Sequence, residues 1–486
     1  MPDSGGPAPN PAARLAAFAA GLRAGDVPAA VRERARHLIL DALGVAAASS
    51  RQEFARIMLD GFRAAGGAGE SGVVAMGARL SLRDAAALNA ALVHGLDFDD
   101  THPGAVVHCT AVSLPAALAL GEARDAPGAE ILTAYIAAVE CAARIGLAAD
   151  YGFHRRGFHA TGIAGHFASA LAAGRLMGLD AAALASAQGV CVSTAAASRE
   201  FWSDGAWNKR LHPGWAAEAG ITAAGLAGAG FKGCERPYDG RFGLFRMLMG
   251  AEAETVDLPL LAGGLGERWE LLESAVKPFP TCHYTHAIVD SAIALRREHG
   301  LEVDDIAAVT VLVHEDLIAP LMEPEALKRR PPEDYAARFS APWAAACGLA
   351  RGRLGLAELE PQALSDPQVL ALAARVGCRP DPDSRFPQYF SAGVEVETRS
   401  GARFRHHEPV NRGAGDRALA NAEIVEKFHA NAAPALGEAW ARAMAARVLD
   451  MERLSGRELM QELTPASEGC DLRWIPPAAA PPGTVG

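Results

Sequence analysis

Aromatic residues make up only 6% of the 486 positions. A β-sandwich would want more aromatic and β-branched side chains, so the abundance of Ala and Gly points to closely packed helices. A positive excess is also missing. The formal net charge of −11 provides no overall basic field, which argues against nucleic acid as a partner. An anionic ligand would therefore need a local cationic pocket. None of the eight cysteines (Cys109, Cys141, Cys191, Cys234, Cys282, Cys347, Cys378, Cys470) falls in a CxxC spacing, so no zinc ribbon or clustered iron–sulfur motif is visible. Dispersed thiols in a large chain read as reduced and mostly buried, hence a cytoplasmic location. The Gly-rich stretches 162–165 and 263–266 form neither a P-loop nor a dinucleotide fingerprint, and a GxSxG elbow is lacking. The N-terminus lacks a signal-peptide pattern. Apolar runs such as 131–139 are too short or too interrupted to span a bilayer, so no membrane partner is expected.

What is present suffices for a large core, since half of the residues are apolar. The length exceeds what one hydrophobic core usually supports, so more than one domain is expected. Amphipathic or wholly apolar periodicity predicts helices at 28–49, 82–94, 111–123, 128–147, 160–177, 181–197 and 213–226. Pro28 and Pro213 are placed as first-turn prolines. The period then changes. Residues 305–314 are β-branched and read as a strand; 393–398 and 402–405 flank an Arg399-Ser400-Gly401 turn and read as a hairpin. Helices are expected between them at 285–298, 335–350 and 366–376, and a further helical run at 420–453. The fold class is mainly α with α+β. A helical domain over 12–274 precedes a smaller α+β lid domain over 275–408. Helices over 409–463 return to the first domain, and 1–11 and 464–486 are expected to be flexible tails.

Nine of the fifteen histidines lie from His94 to His286. Four segments there carry chemistry. His94-Gly95-Leu96-Asp97-Phe98-Asp99-Asp100-Thr101-His102, followed by His108, could bind a metal or orient a general acid and base. The bland alternative is that Asp99, Asp100 and Thr101 cap a helix and stay solvated. No HExxH-like helix-face pair accompanies them, so no metal is expected. Gly157-Phe158-His159-Ala160-Thr161-Gly162 opens a helix, where free N–H groups favour an anion; it could also be a plain capping turn. Lys209, Arg210 and His212 crowd positive charge before a helix, suiting carboxylate recognition, and Trp207, Leu211 and Trp215 suggest partial burial. Lys277-Pro278-Phe279-Pro280-Thr281-Cys282-His283-Tyr284-Thr285-His286 is a stiffened loop at the domain junction, a favoured position for a cleft. Alone, His286 reads as a core histidine and Cys282 as an ordinary buried thiol. His406-His407 reads as surface.

These segments, with Arg338-Phe339-Ser340-Ala341-Pro342-Trp343, resemble the MmgE/PrpD family in order and register across residues 12–462. That resemblance implies a helical domain with an α+β lid, usually a homodimer, with no metal and no organic cofactor. It places polar site residues at Asp97, Thr101, His108, His159, Lys209 and Lys277. Asp97, His108, His159, Lys209 and Lys277 are the candidate catalytic set; Thr101, His212, Cys282 and His283 are the candidate substrate-binding set. The family includes 2-methylcitrate dehydratase, cis-aconitate decarboxylase and iminodisuccinate epimerase. The resemblance thus implies a lyase for a small di- or tricarboxylate, with a 2-methylcitrate dehydratase-like reaction leading and decarboxylation or epimerisation as alternatives. In the decarboxylase branch, Cys282 stands where a histidine occurs, and Leu321-Met322 where a tyrosine occurs. A non-catalytic carboxylate-binding protein is the alternative of another class.

Overall fold

The computed structural model describes residues 10–465; the sequence-based expectation of flexible tails falls largely on residues 1–9 and 466–486, outside that range. At the first tail's edge, Asn10 already caps a helix that opens at Pro11, accepting a hydrogen bond from the Ala12 N–H.

The fold is mainly α with a smaller α+β part. Its centre holds three helices, Cys109–Arg124, Gly128–Ala149 and Ala160–Leu176, whose side chains are buried nearly all round. Small residues make this possible. A Cβ on Gly165 would meet Val112 Cγ1 at 2.6 Å, and one on Gly220 would meet Ser169 Cβ at 2.5 Å. Helices Ala160–Leu176 and Asn208–Gly228 therefore approach backbone to backbone, as close-packed interiors require. Helix Gly128–Ala149, at 22 residues, is long and apolar enough to cross a membrane by length and composition. The apolar run 131–139 thus lies within a longer helix than the run itself suggests. Here the helix is packed within the protein, and its buried Glu140 and Arg144 pair with each other at 3.2 Å.

A second hydrophobic cluster surrounds a four-stranded sheet. Strands β1 (Ser71–Val73) and β2 (Ala78–Leu80) form a separate small hairpin; β3 (Ile306–Val313), β4 (Val376–Pro380), β5 (Ala392–Thr398) and β6 (Arg403–Glu408) form the sheet, in the order β4-β3-β5-β6. Strand β3 runs parallel to β4, with Val309 opposite Val376, and antiparallel to β5, with Val311 opposite Val394. Helices His286–His299 and Ala341–Arg351 cover it, and Trp343 is sealed between them and the sheet.

Several expected boundaries move. Pro213 lies inside helix Asn208–Gly228 rather than in its first turn, and Pro28 sits at an N-cap position. The helix from Ala181 ends at Cys191, and residues 335–350 divide into Asp334–Ala337 and Ala341–Arg351. Residues 420–453 break at Gly437, whose φ of 91° no ordinary residue adopts comfortably, giving Asn421–Leu436 and Glu438–Leu449. Helix Asn421–Leu436 packs on Ala29–Ser49. There Lys427 pairs with buried Asp41 at 2.7 Å and donates to the Phe98 carbonyl at 2.8 Å, which ties the C-terminal helices to the loop of the site.

Candidate active site

The loop from Gly95 to His108 joins helices Leu82–His94 and Cys109–Arg124 and is buried throughout most of its length. Asp97 adopts a left-handed φ of 49° and is wholly inaccessible. Two ammonium groups converge on its Oδ1: Lys209 Nζ at 2.6 Å and Lys277 Nζ at 2.9 Å. Lys209 arrives on the first turn of Asn208–Gly228. Lys277 arrives two residues after Ala275, which exchanges backbone hydrogen bonds with Thr101 at 2.9 and 2.8 Å. Lys277 also donates to the Asp97 carbonyl at 2.7 Å. Burial opposes ionisation of Asp97, yet Lys209 and Lys277 outweigh it and hold the carboxyl well below its usual range.

Asp99 organises the histidines. Its carboxylate lies 2.9 Å from His94 Nδ1 and 3.1 Å from His108 Nδ1. Burial penalises that charge too, but His108 and His94 hold the group low. An anion on Nδ1 fixes that nitrogen as the donor, so His108 Nε2 keeps its lone pair, 3.8 Å from Asp97 Oδ1. His108 occupies the N-cap position of its helix, and burial pushes its pKa down to about 3 against the pull of Asp99. It is therefore neutral at ordinary pH and able to accept a proton.

His159 occupies the N-cap position of Ala160–Leu176. Its Nδ1 lies 3.0 Å from His212 Nδ1, so one of the two donates and the other accepts. Burial lowers both, with His212 falling to about 3 and His159 well below the usual value, each helped by a neighbouring cation or imidazole. The tautomer in which His212 donates leaves His159 Nε2–H as a proton donor.

A cavity of about 30 Å³ lies between these groups and the sheet-bearing part. Thr101, His108, His159, Lys209, Cys282 and His283 line it; His212 stands behind His159. Neither Asp97 nor Lys277 lines it, because each is sealed by the other. Burial pushes the Cys282 thiol up, so it meets the cavity as a neutral group. His283 Nε2 accepts from Asn411 Nδ2 at 2.8 Å; that amide is oriented by the Phe390 N–H, which donates to Asn411 Oδ1 at 3.0 Å. His286 instead reaches the Thr281 carbonyl at 3.1 Å and is off the cavity, as a core histidine would be.

Other sequence-based readings change here. Asp99, Asp100 and Thr101 cap no helix and are buried, because the loop is folded inward beneath two helices. Leu211 and Trp215 are exposed, at 40% and 52%; Lys209 and Arg210 take the buried face of the same helix. Arg210 stacks on Tyr335, 3.8 Å from the ring centroid, and on Phe54 at 4.4 Å, and donates to the Gly95 carbonyl at 2.9 Å. His407 is half-buried and pairs with Asp381 at 2.9 Å. Tyr284, in the Lys277–His286 segment, also lines the cavity, and missed altogether were His154, Arg199, Phe201, Trp202 and Phe390. They come from separate segments without a motif, and only the run of aromatic and charged residues around 199–202 offered a signal.

His94, Asp97, Asp99 and His108 place potential metal-ligand atoms within 4.8 Å of one another. Two lysines on Asp97 oppose a further cation there. The donor spacing fits a metal; the charge does not.

His94, Asp97, Asp99, His108, His159, Lys209 and Lys277 thus form one buried polar cluster beside the sheet-bearing part. The chain belongs to the MmgE/PrpD family, whose N-terminal domain matches residues 13–256 and whose C-terminal domain matches residues 279–452. Named relatives are lyases. The cis-aconitate decarboxylase-like protein oryM of Aspergillus oryzae is 26% identical over 469 residues, covering 92% of this chain and 93% of that protein. The cis-aconitate decarboxylase of Homo sapiens is 28% identical, with 86% of each chain covered. That of Aspergillus terreus is 29% identical over 300 residues, 59% of this chain and 60% of its own.

Proposed function

We propose that this protein is a lyase for a small di- or tricarboxylate, forming or quenching negative charge on a carbon beside a carboxylate. The observation that carries this is the pairing of a neutral, Asp99-oriented His108 with Lys209 on one buried cavity. Lys209 would receive a substrate carboxylate and, with Lys277 behind Asp97, lower the cost of the developing dianion. His108 Nε2 would take the proton, and His159 would protonate the departing group.

Dehydration of a 2-methylcitrate-like hydroxy acid uses both histidines and is the leading reaction. Cys282, neutral, with Val106 and Phe201 on the same wall, offers an apolar surface for a substrate methyl group. Decarboxylation is the second reading, favoured by the names of the relatives, and needs only the proton donor. Incubation with 2-methylcitrate, citrate, cis-aconitate and iminodisuccinate separates the outcomes. Water loss from a hydroxy acid supports the first; CO₂ release from cis-aconitate alone supports the second. Tight binding with no turnover would instead make the protein a carboxylate binder.

A homodimer and a cytoplasmic location belong to the same proposal. Exposed Trp215, Phe231, Phe242 and Met247 support self-association, which sedimentation tests.

A further inference from the structure

The cations that line the inner cavity are Lys209 and Arg199. Lys209 is already paired with Asp97. Arg199, among the described residues, forms no salt bridge. Its Nη1 donates to the His154 carbonyl at 2.7 Å, and its guanidinium lies 5.2 Å from the Trp202 ring centroid. Those contacts leave Nε and Nη2 without an acceptor among the described residues. Beside it, the buried indole N–H of Trp202 has no hydrogen-bond partner either. Buried donors are ordinarily satisfied, so the Trp202 N–H calls for an acceptor oxygen, and the half-buried Arg199 beside it offers free guanidinium donors to the same oxygen-bearing group.

The position of this pair is equally informative. Arg199 and Trp202 line the inner cavity and also an outer cavity of about 510 Å³, bounded by Ala319, Pro320, Glu323 and Pro324. The inner space, about 30 Å³, is the share of roughly one water molecule and is too small for a dicarboxylate. A substrate reaching Lys209 from the outer cavity must pass Arg199 and Trp202. Trp202 in turn packs on Phe339, 5.2 Å between centroids, and Phe339 lies 5.0 Å from Lys209 Nζ. The two cations thus flank one aromatic pair.

Resting on the carboxylate-lyase reading above, we propose that Arg199 determines specificity by binding the substrate carboxylate farthest from the reacting carbon, with the Trp202 N–H as a second donor. Lys209 holds the carboxylate beside the reacting carbon. An acid bearing one carboxylate engages Lys209 alone, and a di- or tricarboxylate bridges both cations. A guanidinium suits this task because its planar donors match a carboxylate in a two-point contact.

The test is calorimetric binding of propionate and of propane-1,2,3-tricarboxylate, together with steady-state kinetics on whichever panel acid turns over. Arg199→Gln is expected to weaken tricarboxylate binding about tenfold to a hundredfold and to leave propionate within about threefold. KM should rise by the same factor with kcat nearly unchanged, and Arg199→Lys should recover part of the loss. Trp202→Phe keeps the ring, removes the N–H and should weaken the tricarboxylate several-fold. Equal tricarboxylate affinity in wild type and Arg199→Gln, with turnover intact, overturns the role of Arg199 and leaves the lyase reading standing. Absence of both binding and turnover in the wild type overturns the lyase reading, and this inference with it.

Discussion

Lys277 Nζ lies 2.9 Å from Asp97 Oδ1 and 2.7 Å from the carbonyl of the same residue, and neither side chain is exposed. A lysine so placed acts from behind a carboxylate: it sets the charge and position of Asp97, which in turn anchors Lys209. Asp97→Asn leaves two buried ammonium groups facing a neutral amide. Removing one member of a buried ion pair costs about 3–5 kcal/mol, so a large fall in melting temperature is expected along with loss of turnover. A stable, active Asp97→Asn protein would remove Asp97 from its central place.

Lys277→Ala and His108→Ala are each expected to lower kcat by about a hundredfold or more with the fold retained. Circular dichroism checks the fold, and steady-state kinetics the loss. Asp99→Asn should approach the His108 effect, because an amide that can donate as well as accept no longer fixes the imidazole tautomer.

The acid limb of activity should lie low. Burial pushes His108 down to about 3, so its neutral form persists where an ordinary imidazole is protonated. Between about pH 7.5 and pH 5.5, kcat/KM should change by no more than a few-fold, whereas a base of pKa near 6.5 would lose about tenfold. A limb near 6.5 in the pH profile would contradict the assignment of His108 as the base.

Asp100 offers a stability test of opposite sign. Burial, aided by Asp99 and Asp41, raises its carboxyl from 3.8 to about 7. Between those values the folded state keeps a proton that the unfolded state has released, so stability falls as pH rises through the window and levels off above it. Asp100→Asn carries no such charge. Its advantage over the parent should grow by up to about 4 kcal/mol from about pH 4 to pH 7. Melting curves of both proteins at the two ends of the window check this; a constant difference would contradict it.

A chelator should leave activity intact. Loss of activity on EDTA treatment, restored by Mg²⁺ or Zn²⁺, would assign a metal to His94, Asp97, Asp99 and His108.

Much of the helical centre was legible because Ala- and Leu-rich segments keep helical period over long stretches; helix Leu82–His94 falls where its periodicity puts it. Strand β4 was not, because Val376-Gly377-Cys378-Arg379-Pro380 is short and half polar and is a strand only through pairing with β3. His108, His159, Lys209 and Lys277 stood out because each lies in a compact polar motif beside a turn. Sequence does not report solvation, so it could not tell a buried Asp99 between two histidines from a solvated helix cap. Nor could it see that Lys277 would be sealed off from the cavity while Arg199, in no motif, would line it. Those facts depend on which segments meet across the fold.

The most direct test of the central claim is proton exchange beside the substrate carboxylate, followed by NMR in D₂O with 2-methylcitrate, citrate and cis-aconitate in turn. The account predicts deuterium entering at a carbon next to a carboxylate, together with water loss or CO₂ release, and no water loss in His108→Ala. Complete retention of every carbon-bound proton, with no turnover of any acid by the wild type, would contradict it.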